Sequence, residues 1–303
     1  MATTSEVTIE GRRLALSNLG KVLYPKVGFT KAQVIDYYVR IAPALLPHLA
    51  GRPLTMKRYP DGVDGEYFYE KNCPRFRPPW VKTAPVWSEG NEKDIDYCLA
   101  EDLPTLVWVA NLADLELHTS LSKASDVGRP TILAFDLDPG APADVVQCCE
   151  VALLVRAFFD QLGLQAFPKT SGSKGLQVYV PLNTAGVTYD HTKTFARALA
   201  EELERKRPDL VVSNMKKSLR TGKVLVDWSQ NDARKTTICV YSLRARERPT
   251  VSTPLDWDEV ARCARDRKPD SLVFDSEAAL ARMQRRGDLF APVLSLRQRL
   301  PRI

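Results

Sequence analysis

Apolar positions along the chain follow two periods, which separate predicted helices from predicted strands. A capping box at residues 30–33 predicts a helix that starts at Thr30, and its apolar periodicity continues through Leu46. The continuous apolar run 131–135, bounded by Asp-Pro-Gly, predicts a buried strand. The helical period also predicts helices over residues 104–115, 143–162, 190–207, 257–267 and 276–286.

Strand-like segments alternate with these helices. Alternation or short apolar runs predict strands over residues 6–16, 53–59, 67–69, 164–168, 176–181, 223–228 and 236–241. The Pro- and Trp-rich segment 73–92 predicts a long surface loop, and the polar segment 120–130 predicts a connector. The order of elements indicates a mixed α/β (α+β) chain with a large antiparallel share.

The composition is that of a globular chain with a mild positive charge. Its 303 residues are 44% apolar and 26% charged, which excludes disordered, collagen-like and coiled-coil proteins. The net charge of +6 permits a polyanionic partner. No apolar run approaches the ~20 residues of a membrane span, and residues 1–6 lack a signal-peptide core, so we expect no membrane association.

Cysteine usage predicts a reducing compartment. The six cysteines have no Cys-x-x-Cys spacing, and a chain of this length does not need disulfides to fold. We therefore expect no disulfide staple and a cytosolic location.

Three acids are candidates for a metal site. Asp136 and Asp138 stand at i and i+2 at the end of an apolar strand, so their carboxylates share a face. Paired carboxylates are costly unless a cation such as Mg²⁺ or Mn²⁺ lies between them. The alternative is a strand that ends in an Asp-Pro-Gly turn, with both acids solvated. Asp227 lies in another apolar strand, where it either faces outward or joins the pair. Three such acids are what two-metal nucleotidyl transfer requires.

Small and basic residues suggest an anion site. The turn at residues 171–175 contains Lys174 and could form a nest of backbone N–H groups, or it is a plain flexible loop. The turn does not match the Walker A spacing. Basic residues recur from 216 to 248, which suits a triphosphate near a metal but is equally typical of a solvated face.

Four ordered motifs together resemble a known family. They are Phe-Asp-Leu-Asp-Pro-Gly at 135–140, Thr-Ser-Gly-Ser-Lys-Gly-Leu at 170–176, and the segments 218–231 and 235–244. From about residue 21 to 288 the chain resembles the polymerase domain of bacterial and archaeal ligase D-type end-joining systems, in the archaeo-eukaryotic primase superfamily. The resemblance implies a primase-polymerase fold, with mixed, largely antiparallel sheets forming an RRM-like catalytic core flanked by helices. It also implies one domain over 1–303, with a DNA-end and template-binding portion at 1–125 and a catalytic portion at 126–303.

The resemblance assigns roles to individual positions. It implies that the catalytic metal ligands, for Mn²⁺ or Mg²⁺, are Asp136, Asp138 and Asp227. It implies that the nucleotide-binding residues are His118, Ser171, Lys174, Gln177, Arg220, Gln230 and Arg244. It implies that the residues holding a DNA 5′-phosphate are Lys21 and Lys31, and that the template or DNA contacts are Lys57, Arg58, Phe68 and Tyr69.

Local physics supports one of these roles and leaves another open. Lys31 lies in the first turn of a predicted helix, where free N–H groups and the helix dipole favour an anion. The aromatic pair Phe68 and Tyr69 fits template stacking or core packing equally well.

Two departures from the family pattern stand out. Gln177 occupies a position where the family usually has His; Gln cannot become cationic, so we expect a weaker phosphate contact. Cys239 and Val240 stand where Ala-Pro is usual, with no effect that the sequence explains.

The function that the resemblance implies is DNA repair by non-homologous end joining. A templated polymerase would add NTPs or dNTPs, with a ribonucleotide preference, to a 3′-OH at gapped duplex or DNA ends with a 5′-phosphate. The implied partners are Ku and an ATP-dependent DNA ligase, and the implied location is the cytoplasm, near the nucleoid. The alternatives are a replicative or lesion-bypass primase and a non-catalytic module that bridges DNA ends. The sequence fits a stand-alone polymerase or an excised domain.

Overall fold

The computed structural model describes residues 4–301; residues 1–3 and 302–303 of the predicted domain 1–303 lie outside the described residues. The α-helices are α1 Lys31–Leu49, α2 Leu103–Asn111, α3 Val145–Gln161, α4 Tyr189–Lys206, α5 Trp257–Asp266, α6 Ser276–Arg286 and α7 Pro292–Ser295. The strands are β1 Thr4–Ile9, β2 Arg12–Ser17, β3 Val22–Tyr24, β4 Phe29–Thr30, β5 Leu54–Arg58, β6 Phe68–Glu70, β7 Thr83–Ser88, β8 Lys93–Cys98, β9 Asp114–Thr119, β10 Ser122–Lys123, β11 Asp126–Pro130, β12 Ile132–Pro139, β13 Phe167–Thr170, β14 Leu176–Pro181, β15 Val211–Val212, β16 Val224–Asp227 and β17 Thr237–Ile238. None of the helices within residues 4–301 is long and apolar enough to cross a membrane.

The chain forms two compact units. The first contains the residues up to Ser120 together with Thr237–Val251 and Phe274–Gly287. The second contains Leu121–Thr236, Ser252–Val273 and the residues from Asp288 onward. The functional division at residues 125 and 126 remains a prediction.

The first unit is built on a six-stranded sheet. Its strand order is β17-β9-β5-β8-β7, with β6 also paired to β5, and every pairing is antiparallel. Helix α1 packs against α2 and α6. Thr30 caps α1 in a capping box with Gln33, as predicted, and the helix buries Val34, Tyr38 and Leu45 at helical spacing.

The second unit is built on a five-stranded sheet in the order β13-β14-β12-β16-β15. Its pairings are antiparallel except for the parallel pair β15 and β16. Strand β12 is the central strand of this sheet, and helix α3 packs against β12 and β14. The apolar residues of β12 are therefore buried on both faces of the sheet. The predicted mixed, largely antiparallel α+β fold is confirmed.

The predicted helix over 104–115 is wrong in its second half. Helix α2 ends at Asn111, and Ala113 takes a left-handed φ of 59° that interrupts the helix. From Asp114 onward, polar and apolar residues alternate with a period of two, which is the pattern of strand β9.

Three other predictions underestimated the strand content. The predicted strand 6–16 is a hairpin, because Glu10 and Gly11 adopt positive φ and reverse the chain. The predicted loop 73–92 contains β7, and the predicted connector 120–130 contains the β10–β11 hairpin. Pro85 within β7 concealed that strand, since β7 is an edge strand where proline is tolerated.

The expectation that the chain contains no disulfide is wrong. Cys73 and Cys98 form a disulfide with a Cα–Cα distance of 5.0 Å. The Cys73 N–H donates to the carbonyl of Asp96 at 2.6 Å, which brings Cys73 beside the end of β8. The other four cysteines are buried and do not form disulfides.

Candidate active site

A row of polar side chains crosses the sheet of the second unit. On β12, Asp136 lies directly opposite Asp227 of β16 on one side and Gln177 of β14 on the other. Directly opposite residues of antiparallel strands point to the same face, and Asp138 follows two positions along β12. The register therefore brings the three predicted acids to one face of the sheet.

Asp227 is buried and fully hydrogen-bonded. Its Oδ1 accepts hydrogen bonds from the backbone N–H of Ser229 at 2.9 Å and from the Ser229 hydroxyl at 2.5 Å. Its Oδ2 accepts one from the Gln230 side chain at 2.9 Å, and Lys235 donates to the Ser229 hydroxyl. The alternative of an outward-facing Asp227 is therefore wrong.

Burial and neighbouring charge act on Asp136. Burial raises the pKa of Asp136 and the Asp138 carboxylate raises it further; the hydrogen bond from Gln177 opposes this, while Asp227 adds to it. Burial and the two neighbouring carboxylates thus both disfavour the charged form of Asp136.

Lys169 extends the row and was missed in the sequence. It lies opposite Gln177 on β13, and its charge lowers the pKa of Asp136. The side chain is fully buried, donates to the Ser252 hydroxyl at 2.7 Å and lies 5.3 Å from the ring centre of Tyr179. The predicted strand 164–168 ended one residue before Lys169, which lies within β13.

The three carboxylates fit a hard divalent cation by their chemistry. Carboxylate oxygens are the donors that Mg²⁺ and Mn²⁺ prefer, and a cation would relieve the repulsion that raises the pKa of Asp136. In residues 4–301 no three His, Cys, Asp or Glu side chains stand together as a ready-made metal site. Both oxygens of Asp227 accept hydrogen bonds from the protein.

The turn at residues 171–175 is tightly closed. The Ser171 hydroxyl accepts hydrogen bonds from the N–H groups of Ser173 and Gly175, each at 3.2 Å. The Ser171 N–H donates in turn to the carbonyl of Gly175 at 2.9 Å. These bonds argue against a plain flexible loop, and Lys174 lies within the turn.

Arg220 follows a short 3₁₀ helix, Lys217–Leu219, and its backbone packs against Gly140. Its guanidinium donates to the carbonyl of Met215 at 2.5 Å. The turn after Asp138 and the Arg220 segment are therefore in direct contact.

The two departures from the family pattern differ in their surroundings. Gln177 is buried, hydrogen-bonds Asp136 and accepts a hydrogen bond from the Tyr179 hydroxyl at 3.4 Å. Its weaker phosphate contact stays a prediction. Cys239 is buried and its N–H donates to the carbonyl of Leu117; nothing in the structure explains why it replaces the usual residue.

A second cluster of predicted site residues lies in the first unit, around a carboxylate that the sequence did not reveal. Glu116 accepts a hydrogen bond from His118 at 3.0 Å and lies 3.6 Å from Lys57 Nζ and 3.3 Å from Arg244 Nε. Burial alone would raise the pKa of Glu116, but its contacts with these three groups lower it to about 2. Lys57, predicted as a DNA contact, thus lies with His118 and Arg244, both predicted as nucleotide ligands.

The predicted template aromatics are exposed. Phe68 and Tyr69 on β6 are 44% and 56% exposed, so neither packs in the core. The Arg58 guanidinium lies 5.1 Å from the ring centre of Phe68 and pairs with Glu70 at 2.6 Å. Exposed rings beside a cation are typical of single-stranded nucleic-acid sites.

The predicted 5′-phosphate lysines are neighbours. The Lys31 N–H donates to the carbonyl of Lys21 at 2.8 Å, while the Lys31 side chain donates to the carbonyl of Ser17 at 2.7 Å. The Lys21 side chain pairs with Asp61 at 2.7 Å. Burial, followed by the charges of Lys21 and Arg58, lowers the pKa of Lys31 to about 8. Repulsion between neighbouring positive charges favours the binding of an anion beside them.

Comparisons with known proteins identify a family and several relatives. The family described as "LigD, primase-polymerase domain" matches residues 30–290. The chain is 44% identical over 283 residues to the multifunctional non-homologous end joining protein LigD of Mycolicibacterium smegmatis, and 34% identical over 248 residues to the bifunctional non-homologous end joining protein LigD of Bacillus subtilis. These alignments cover 93% and 82% of this chain but 36% and 39% of the relatives, so the chain spans less than half of their length.

A solved structure has the same fold. It is described as the polymerase domain from Mycobacterium tuberculosis ligase D in complex with DNA, with a TM-score of 0.86 and 40% sequence identity. The match covers 94% of this chain and 99% of that chain. On these grounds the chain belongs to the LigD primase-polymerase domain family.

Proposed function

We propose that this chain is a DNA repair polymerase of non-homologous end joining, which transfers nucleotides to a 3′-OH at gaps or breaks under the direction of a template. The observation that carries the proposal is the register between β12 and β16, which places Asp136 directly opposite Asp227 and Asp138 on the same face of the sheet. The family membership supports the same conclusion, as does the similarity to a polymerase domain that was solved in complex with DNA.

In this proposal Asp136, Asp138 and Asp227 hold divalent cations, Mn²⁺ or Mg²⁺. When bound, the metal supplies Lewis-acid activation of a hydroxyl and offsets charge on the phosphates. The hydrogen bonds from Ser229 and Gln230 orient the Asp227 carboxylate.

We propose further that the remaining site residues bind the nucleotide and the DNA. The nucleotide ligands are His118, Ser171, Lys174, Gln177, Arg220, Gln230 and Arg244. Lys21 and Lys31 hold a 5′-phosphate, and Lys57, Arg58, Phe68 and Tyr69 contact the template or DNA. A ribonucleotide preference, Ku and an ATP-dependent ligase as partners, and a cytoplasmic, nucleoid-associated location complete the proposal.

Primer extension on a gapped duplex with a 5′-phosphate tests the central claim. The wild-type protein should extend the primer with Mn²⁺ or Mg²⁺, whereas Asp136→Ala should lose at least ~100-fold of the rate, because a carboxylate that holds the metal is removed. Asp126→Ala is the matched control: Asp126 pairs with Arg129 on an exposed hairpin and should retain full activity.

Each rival function predicts a different result. Undiminished extension by Asp136→Ala would overturn the assignment of the acids. Synthesis that starts on single-stranded template without a primer would favour a replicative or lesion-bypass primase. Binding of 5′-phosphorylated ends without incorporation, whatever the metal, would favour a non-catalytic bridging module.

A further inference from the structure

Glu116 of the first unit is a buried acid that contacts three basic side chains. Its side chain is buried, and its Oε2 lies within 3.6 Å of both His118 Nε2 and Lys57 Nζ. Its Oε1 lies 3.3 Å from Arg244 Nε and accepts a hydrogen bond from the Ala245 N–H at 3.0 Å. One carboxylate therefore contacts three basic side chains from three separate stretches of sequence.

The cluster carries surplus positive charge. Lys57 and Arg244 together contribute two positive charges against the single negative charge of Glu116, before any charge on His118 is counted. Tyr67 lies over the Lys57 amine at 4.2 Å, and Tyr59 and Tyr69 lie within 5.5 Å of it. Cations held in such a half-buried, aromatic-walled place retain enough charge to attract an anion.

We propose that Glu116 is a positioning residue that holds His118 and Arg244, two of the proposed nucleotide ligands, in the arrangement that binds the polyphosphate of the incoming nucleotide, and that it fixes the proposed DNA contact Lys57 beside them. This inference rests on the proposed polymerase function, because it takes the anion to be the nucleotide's triphosphate. Glu116 itself does not contact the substrate, since an acid would repel phosphate. It acts by fixing Lys57 and Arg244, two cations that would otherwise repel each other, and by accepting a hydrogen bond from His118.

Removing the negative charge of Glu116 has two opposite effects on the affinity for a polyanion. By simple charge attraction, Glu116→Gln should bind a polyanion more tightly, because one negative charge is lost. If positioning dominates, the same variant binds more weakly, because the cations separate and lose their common acceptor. The sign of the change therefore distinguishes a positioning role from mere charge balance.

Isothermal titration with inorganic tripolyphosphate measures that sign without requiring catalysis. We expect Glu116→Gln to raise the Kd by roughly tenfold, which corresponds to about 1.4 kcal/mol. Glu116→Asp keeps the charge but withdraws it by one methylene, and should also weaken binding. Asp94→Asn is the matched control: Asp94 is an exposed acid on β8 of the same sheet, so its substitution also removes one negative charge but leaves the contacts of Glu116 in place.

A spectroscopic readout reports on the cluster directly. The chain contains three histidines, so NMR can follow the His118 imidazole individually. Burial lowers the pKa of His118 while Glu116 opposes that shift, so the pKa of His118 should fall further in Glu116→Gln and stay unchanged in Asp94→Asn.

The outcomes separate this inference from the proposed function. Wild-type or tighter tripolyphosphate binding by folded Glu116→Gln would overturn the positioning role. If that variant does not fold, Glu116→Asp decides: weaker binding supports the role and wild-type binding overturns it. A wild-type protein that binds tripolyphosphate through this cluster but extends no primer would refute the polymerase and leave the role of Glu116 as an anion-site organiser intact.

Discussion

Replacing Gly140 with alanine would place a methyl group where the backbone of Arg220 already lies. A Cβ atom at Gly140 would lie 2.0 Å from the Arg220 carbonyl oxygen, whereas an ordinary contact begins at 3.4 Å. The two backbones would have to separate by about 1.4 Å, the difference between these distances. Gly140 does not have a positive φ, so the expected effect is steric.

The loss of stability can be estimated from the two backbone hydrogen bonds that this separation would break. The Gly140 N–H donates to the carbonyl of Lys223 at 2.8 Å, and the Gly222 N–H donates to the carbonyl of Gly140 at 3.0 Å. Each bond contributes about 0.5–1.5 kcal/mol, and overpacking costs about 1–3 kcal/mol. Together they predict that Gly140→Ala lowers the free energy of unfolding by roughly 2–6 kcal/mol.

Thermal unfolding and gap filling measure this prediction. The Tm of Gly140→Ala should fall by roughly 5–20 °C, and gap filling should fall with it because the Arg220 segment moves. Gly175→Ala should behave alike, since its Cβ would lie 2.0 Å from the carbonyl oxygen of Leu137, between the two acids of β12. Gly128→Ala is the control, because its nearest contact would be an ordinary 3.9 Å. Wild-type Tm and activity in Gly140→Ala would refute the reasoning.

Two further predictions concern the first unit. The preference for a 5′-phosphorylated gap should decline as the pH rises above about 8. The pKa of Lys31 is lowered to about 8, and a lysine loses its positive charge above its pKa. A bound phosphate raises the pKa of Lys31 and so moves the midpoint of this decline to higher pH. Fluorescence anisotropy with and without the 5′-phosphate measures it, and an undiminished preference at high pH contradicts it. Reducing the Cys73–Cys98 disulfide, which spans 25 residues, should lower the free energy of unfolding by about 3.5 kcal/mol. Denaturant unfolding with and without dithiothreitol measures this change, and equal free energies of unfolding would contradict the prediction.

Features set by neighbouring residues could be predicted from the sequence. The capping box at Thr30 determines where α1 begins, and it requires only residues three positions apart. The apolar run before Asp136 likewise determines that β12 is buried, and the period of two determines that Asp136 and Asp138 share a face. The ordered motifs then connected these local features to a family.

Features set by long-range pairing could not be predicted in the same way. The alternation from Asp114 to His118 was interpreted as the end of a helix, so Glu116 was not recognised as the centre of a cluster. Lys169 depends on the register of β13 against β14, and the disulfide depends on where β8 ends. No local pattern encodes which strand lies beside which.

The row across β13, β14, β12 and β16 makes catalysis a stringent test of correct folding. If β16 paired with β12 one residue out of register, Asp227 would turn to the opposite face, although the sheet and much of its apolar core could persist. Such a chain would keep its secondary structure and its compactness, and spectroscopy would report it as folded. In such a chain the three acids would nevertheless not lie on one face. The fraction of active molecules, and not the fraction of folded molecules, would therefore measure how many chains have the native register.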